Sequence, residues 1–231
     1  MFFTFENILQ TYFDNLYPDH LYEDHVPQHP VAVQLHMMIK QHNPSKELFH
    51  RLIQSREQFL SDKPFDSLDH VEQYGEDAWG SVYLLLLEVL GNTSGHAKHA
   101  ATQLGKCEGL VTVLRGLPYN ASKRRCYLPT DLLMEQELSA EKVVRGGEDD
   151  QAVRDVVEII ASRAQQHLES CRFRMKYLKT DHKLLLLPCV AVDSYLEKLS
   201  KAKCNVWDKT LHSRNSQLPM SLAWNKLKKT Y

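Results

Sequence analysis

The chain lacks the signatures that would assign the common nucleotide-dependent and hydrolytic chemistries. Its nine glycines form no phosphate loop, no dinucleotide fingerprint and no G-x-S-x-G turn. Cysteine is sparse. Cys107, Cys126, Cys171, Cys189 and Cys204 are odd in number and never spaced C-x-x-C. That pattern favours reduced, partly buried thiols over a disulfide framework or a zinc site. No apolar run approaches the roughly 20 residues that span a bilayer. Residues 82–87 run into Glu88, and Pro188 interrupts 184–192. No Lys or Arg precedes Lys40, so the amino terminus does not read as an Arg-rich targeting leader. No nucleic-acid-binding motif is present, and nucleic acid is not an expected partner.

What is present reads as one domain over 1–231. At 43% hydrophobic and 25% charged, 231 residues suffice for one ordinary core. The net charge of -1 hides a division. Residues 1–170 hold 15 Lys/Arg and 25 Asp/Glu, whereas 171–231 hold 13 and 4. The basic third suits an anionic partner or lipid headgroups, or it pairs as solvated helix faces with the acidic part.

The periodicity is helical throughout. Phe5, Ile8, Leu9, Tyr12, Phe13 and Leu16 share one amphipathic face and predict a helix over 3–16. Pro30 suits the first turn of a second helix to about 41, and Asn43-Pro44-Ser45 restarts a third to about 60. A long helix is expected over 67–90, stopped by Gly91-Asn92. The next is expected over 94–114, with Pro118 capping or kinking it. Short helices follow over 131–137 and 140–144. Asp149 or Asp150 can cap a helix to about 177, with Val153, Val157, Ile160, Ala161, Ala164 and Leu168 inward. Helices over 186–202 and 219–228 close an all-α chain.

The most informative stretch runs from His99 through Leu104-Gly105-Lys106-Cys107-Glu108-Gly109 to Leu114-Arg115-Gly116-Leu117-Pro118-Tyr119-Asn120, followed by Arg125-Cys126-Tyr127-Leu128-Pro129. It resembles the second signature of the squalene/phytoene synthase family, a helix with "LRDxxxD" leading into "R-x-Y-L-P". Gln28-His29-Pro30-Val31-Ala32 is similar to the family's "HPV" helix start. Leu52-Ile53-Gln54-Ser55-Arg56 stands where its members carry "LIxG". Tyr74, Gly80 and Ser81 fall in a helix similar to "YCxxVAGxVG". The tail, Leu218-Pro219 through Trp224 to Lys228-Lys229-Thr230-Tyr231, resembles that of a mitochondrial branch whose members act in assembly of respiratory complex I.

The resemblance implies a single-domain helical bundle of the isoprenoid synthase type. The family's first aspartate-rich motif lies upstream of the "HPV" helix, so the bundle is expected to lack the N-terminal helix or helices that carry it. In the synthases the two aspartates of the second signature hold magnesium against an allylic diphosphate. Here those positions are Gly116 and Asn120. Residues four apart share a helix face, and paired carboxylates there can hold a hard cation. Glycine offers no ligand and asparagine only a neutral oxygen. Without the metal, the charge of a departing diphosphate is not offset. Gly116 also weakens its helix by about 1 kcal/mol relative to Ala.

The expected function is therefore a non-catalytic assembly factor for complex I, with no metal and no cofactor. The resemblance implies a peripheral place on the matrix side of the mitochondrial inner membrane, with complex I subunits or assembly intermediates as partners. Candidate cleft residues are Arg56, Glu108, Arg115, Tyr119 and Tyr127. Lys226, Lys228 and Lys229 are the candidate contacts with membrane or partner. The rival reading is a surviving prenyl- or diphosphate-handling transferase using Glu72, Asp77 and Glu108, or a lipid-binding module that keeps the cleft. Leu84, Leu87, Val89 and Leu90 form a stripe that suits a prenyl-sized cavity or plain core packing. Lys123-Arg124-Arg125 suits phosphate or a solvated loop. His96 and His99, three apart, lack an evident third metal ligand.

Overall fold

The computed structural model describes residues 18–23, 29–60, 63–92, 94–146, 150–213 and 215–228. The helix expected over 3–16 and the candidate contact Lys229 lie outside these residues. Every element among the described residues is helical, so the all-α expectation holds.

Three helices open the fold: α1 (Pro18–Tyr22), α2 (Pro30–His42) and α3 (Lys46–Leu60). Pro30 occupies the first helical turn, and Asn43 ends α2 in the left-handed region with φ 47°. Leu21, Ala32, Ile39, Leu48, Phe49 and Leu85 bury together as a small satellite core.

The single long helix expected over 67–90 is instead three joined pieces. These are α4 (Leu68–Gly75), a π-helical turn (Glu76–Gly80) and α5 (Ser81–Val89). The Ser81 N–H bonds back to the Glu76 carbonyl, so the turn holds one residue more than an α-helical turn. Periodicity could not show this, because the apolar pattern continues on both sides of the turn.

The central helix α6 (Gly95–Ser122) also differs from expectation, passing through Pro118 rather than stopping near 114. Pro118 removes one helical N–H. Burial of Leu117 and Ala121 keeps the chain in register. The Asn120 carbonyl closes the end by accepting from the Lys123 and Arg125 N–H groups, each at 2.9 Å. Tertiary packing has outweighed the local breaker.

The remaining elements are α7 (Thr130–Glu135), α8 (Ala140–Gly146), α9 (Gln151–Met175), α10 (Thr180–Lys183), a 3-10 turn (Leu184–Leu186), α11 (Cys189–Lys201), α12 (Lys209–His212) and α13 (Leu218–Lys228). Asp150 caps α9 by accepting from the Ala152 N–H at 3.0 Å. The expected inward face of α9 is buried at Val153, Val157, Ile160, Ala164 and Leu168, and half-buried at Ala161. At the far end of α9, Arg172 pairs with Asp193 of α11 at 2.8 Å.

α6 is the axis of the main core, packed between α9 on one side and α4, the π turn and α5 on the other. Glycine sets the second contact. A Cβ on Gly105 would lie 2.4 Å from the Gly80 nitrogen, and one on Gly109 would lie 2.5 Å from the Gly75 Cα. Backbone meets backbone there, and no larger residue fits without separating the helices.

Candidate functional site

The rebuilt signature sits near the C-terminal end of α6. Gly116 and Asn120 are both half-buried there, one turn apart. The Asn120 Nδ2 atom lies 3.0 Å from where a Gly116 Cβ would stand, so the amide leans into the space the glycine leaves. This donor set, one neutral amide beside a bare backbone, does not fit the magnesium of the diphosphate synthases. Among the described residues no group of three or more His, Cys, Asp and Glu is placed to hold a metal ion.

The helix packed against α6 carries large side chains where the family's motif has small ones. Counting along the "YCxxVAGxVG" pattern from Tyr74, the motif's alanine position is Trp79 and its last glycine is Tyr83. Tyr83 is buried, and its hydroxyl donates to Glu108 Oε1 of α6 at 2.8 Å. Burial pushes the Glu108 carboxyl up, and the Tyr83 hydrogen bond and the Arg115 charge offset only part of that rise. Burial pushes the Tyr83 phenol up strongly too, and the neighbouring Glu108 charge adds to it. A phenol thus stands in the α5–α6 seam where the motif has a glycine, and it meets the Glu108 carboxyl of α6.

A second polar assembly joins α4, α6 and α9. Glu72 is buried, with His167 Nε2 at 3.1 Å, Arg163 Nε at 3.3 Å and Lys106 Nζ at 4.0 Å. Gln103 Oε1 lies 2.7 Å from the other ring nitrogen of His167. Burial raises the Glu72 carboxyl, but the close contact with His167 and the charges of Arg163 and Lys106 outweigh it and hold it below the usual range. The π turn carries the neighbouring acids. Arg51 of α3 reaches Asp77 Oδ1 at 2.6 Å and Glu76 Oε1 at 3.1 Å, and Gln73 donates to Asp77 at 2.8 Å. The carboxylates offered by the rival enzymatic reading are therefore each engaged: Glu72 with cations, Asp77 with Arg51, Glu108 with Tyr83.

The five candidate cleft residues do not converge. Arg56 donates to the Tyr74 hydroxyl at 2.7 Å and lies 4.8 Å from the Trp79 ring. Phe59 packs between Tyr74 and Tyr127, with centroids 5.2 and 5.1 Å away, so Tyr127 belongs to this aromatic nest. Beside it a recess of about 550 Å³ is lined by Phe59, Phe65, His70, Gln73, Tyr74 and Asp77 among others. Glu108 belongs to the seam. Arg115 is exposed, 6.0 Å from the Tyr195 ring, and Tyr119 is exposed near Lys123.

The other sequence candidates also separate. His96 stacks on Tyr177, while His99 lies 3.4 Å from the Ser170 hydroxyl. In the proposed apolar stripe, Leu87 is fully buried and Leu90 is exposed, so it is not one cavity wall. Lys226 and Lys228 are exposed on α13. Lys228 lies over the exposed Trp224 ring at 4.6 Å, and Met220 and Leu227 extend the same helix surface.

Sequence reasoning missed Trp79, Tyr83, Arg51, Lys106, Arg163 and His167. The first two had a signal, since both stand at positions where the quoted motif carries a small residue. The ion partners had none, because they come from separate helices.

The family profile of squalene/phytoene synthases matches residues 7–222. "NADH dehydrogenase (ubiquinone) complex I, assembly factor 6" of Mus musculus is 37% identical over 205 residues, 89% of this chain and 61% of that protein. The Homo sapiens protein of the same name is 35% identical over the same shares. The Drosophila melanogaster homolog is 32% identical over 202 residues, 87% of this chain and 60% of that protein. The chain thus spans about three-fifths of the length of these curated relatives. A crystal structure of a dehydrosqualene synthase superposes with a TM-score of 0.79 at 16% identity, covering 96% of this chain and 79% of that one. The squalene synthase HpnC from Alicyclobacillus acidocaldarius gives 0.76 at 15% identity, covering 88% and 77%. With the fold, the signature helix and the profile in agreement, this chain belongs to the squalene/phytoene synthase family.

Proposed function

We propose that this protein is an assembly factor for mitochondrial respiratory complex I and does not catalyse prenyl transfer. The observation that carries the reading is the pairing of two facts. Relatives named as complex I assembly factors match most of the chain, and the signature that anchors metal in the family is Gly116 and Asn120 here. The Tyr83–Glu108 pair supports the same reading, because a buried phenol stands where the family's motif carries a glycine.

In this reading the protein acts early, peripherally on the matrix side of the inner membrane, and helps a membrane-arm subunit mature. Among the described residues no helix is long and apolar enough to cross a membrane. The exposed α13 face, with Lys226 and Lys228 and with Lys229 following, is the candidate contact for membrane or complex I subunits. The test is removal of the gene, followed by measurement of assembled complex I and of isoprenoid levels. Loss of complex I with normal isoprenoids is the expected result. Normal complex I with depleted isoprenoids would restore the transferase reading.

A further inference from the structure

The C-terminal end of α9 and the turn after it expose an aromatic pair that the bundle does not bury. Phe173 and Tyr177 are 51% and 59% exposed, with ring centroids 6.0 Å apart. Tyr177 stacks on His96 at 4.7 Å, which joins this end of α9 to the start of α6. Arg174 and Lys176 stand 5.7 and 5.6 Å from the Phe173 ring. Nearby, Asn92 meets His182 at 2.7 Å, drawing together the chain segments that carry the exposed Leu90 and Leu184.

The charge of this end is one-sided. Residues 172–183 hold five Lys/Arg and one acid, Asp181. Arg172 is paired with Asp193, and Lys176 and Lys179 are exposed. Half-exposed rings among long cationic side chains are the composition of a bilayer interface. An aromatic ring settles at headgroup depth, and ammonium and guanidinium groups meet lipid phosphate. A protein partner would need pockets for these rings or partners for their edges. A headgroup layer accepts them as they stand.

We propose that this end of the bundle docks on an anionic lipid surface. Phe173 and Tyr177 enter the headgroup layer, while Arg174, Lys176 and Lys179 meet lipid phosphates. The inference rests on the peripheral membrane placement proposed above and assigns it to a surface other than α13.

The experiment is sedimentation of the full chain with vesicles of phosphatidylcholine alone and with added cardiolipin. The wild-type chain is expected to bind the cardiolipin vesicles, and to bind them less as salt rises. Each cation near an anionic surface contributes about fivefold, so Lys176→Glu with Lys179→Glu is expected to weaken partition by more than tenfold. Phe173→Ser with Tyr177→Ser is expected to weaken it at least fivefold, with the helical circular dichroism spectrum unchanged and only a small fall in melting temperature from the lost Tyr177–His96 stack. Lys226→Glu with Lys228→Glu serves as the comparison and is expected to keep most of the binding. Wild-type binding that survives both the Lys176/Lys179 and the Phe173/Tyr177 double variants would overturn this inference and leave the membrane placement standing. Loss with the charge variant but not the aromatic one would also overturn it, reducing the contact to adsorption. A wild-type chain that ignores cardiolipin vesicles would sink the membrane placement itself.

Discussion

Tyr83 and Glu108 face each other across the α5–α6 seam with the phenol donating to the carboxyl at 2.8 Å. In the family's motif the Tyr83 position carries no side chain, so the pair is a new link between two helices. Burial raises the Glu108 carboxyl. A group whose folded-state value lies above its unfolded one favours folding most at low pH. Its contribution is present below the unfolded value and lost as pH rises through the folded one. Glu108→Gln keeps an acceptor for Tyr83 without that loss. The variant is expected to be more stable than wild type by about 1 kcal/mol at pH 7.5, with the difference closing below about pH 4. Urea midpoints at the two pH values check this. Equal midpoints for both chains at pH 7.5 would contradict it.

Glu72 gives the opposite sign. Its carboxyl is held below the usual range against burial, by the close contact with His167 and by the charges of Arg163 and Lys106. Stability from such a group is present above the unfolded value and lost as pH falls through the folded one. Glu72→Gln leaves Arg163 and Lys106 facing a neutral amide, and because Arg163 is solvent-exposed and Lys106 keeps Glu76, it is expected to cost about 1 kcal/mol at pH 7. The variant should also show a flatter loss of stability on acidification. Denaturant melts at pH 7 and pH 3 read both effects.

The backbone contact between α6 and the π turn predicts a sharp response to one methyl group. A Cβ on Gly105 would fall 2.4 Å from the Gly80 nitrogen, where no flexible side chain can move aside. Gly105→Ala is expected to destabilise the fold by about 3 kcal/mol despite its better helix propensity. Gly95→Ala, with open space around the added methyl, should be neutral or slightly stabilising. Thermal melts of the two variants separate these outcomes.

Restoring the acidic pair alone is not expected to restore chemistry. In Gly116→Asp with Asn120→Asp the carboxylates return to the α6 face, but Trp79 and Tyr83 still stand where the family's motif carries small residues, engaged with Arg56 and Glu108. Magnesium-dependent release of pyrophosphate from farnesyl diphosphate should stay at background in this variant. Turnover in the double variant would show that Trp79 and Tyr83 are compatible with the chemistry.

The fold was largely legible because its helices bury broad apolar faces. On α9, Val153, Val157, Ile160, Ala164 and Leu168 point inward as their spacing requires. Pro118 misled because a breaker acts locally, whereas Leu117 and Ala121 are held by contacts across the bundle. The site was legible only where a residue replaces something expected, as at Gly116 and Asn120. Arg163 and His167 meet Glu72 through packing of separate helices, and no local pattern announces that. Arg56 and Tyr127 proved to share an aromatic nest, with Glu108, Arg115 and Tyr119 elsewhere.

The extra residue in the turn Glu76–Gly80 acts as a phase shifter for everything that follows it in the helix. Removing one residue there would turn α5 by about 100° around its axis. Tyr83 would swing away from Glu108, and Leu87 would leave its buried seat. A deletion at Ala78 should therefore disturb side chains a full turn or more downstream, far more than its own small volume suggests. The Tyr83–Glu108 link is a matter of helical phase as much as of side-chain size.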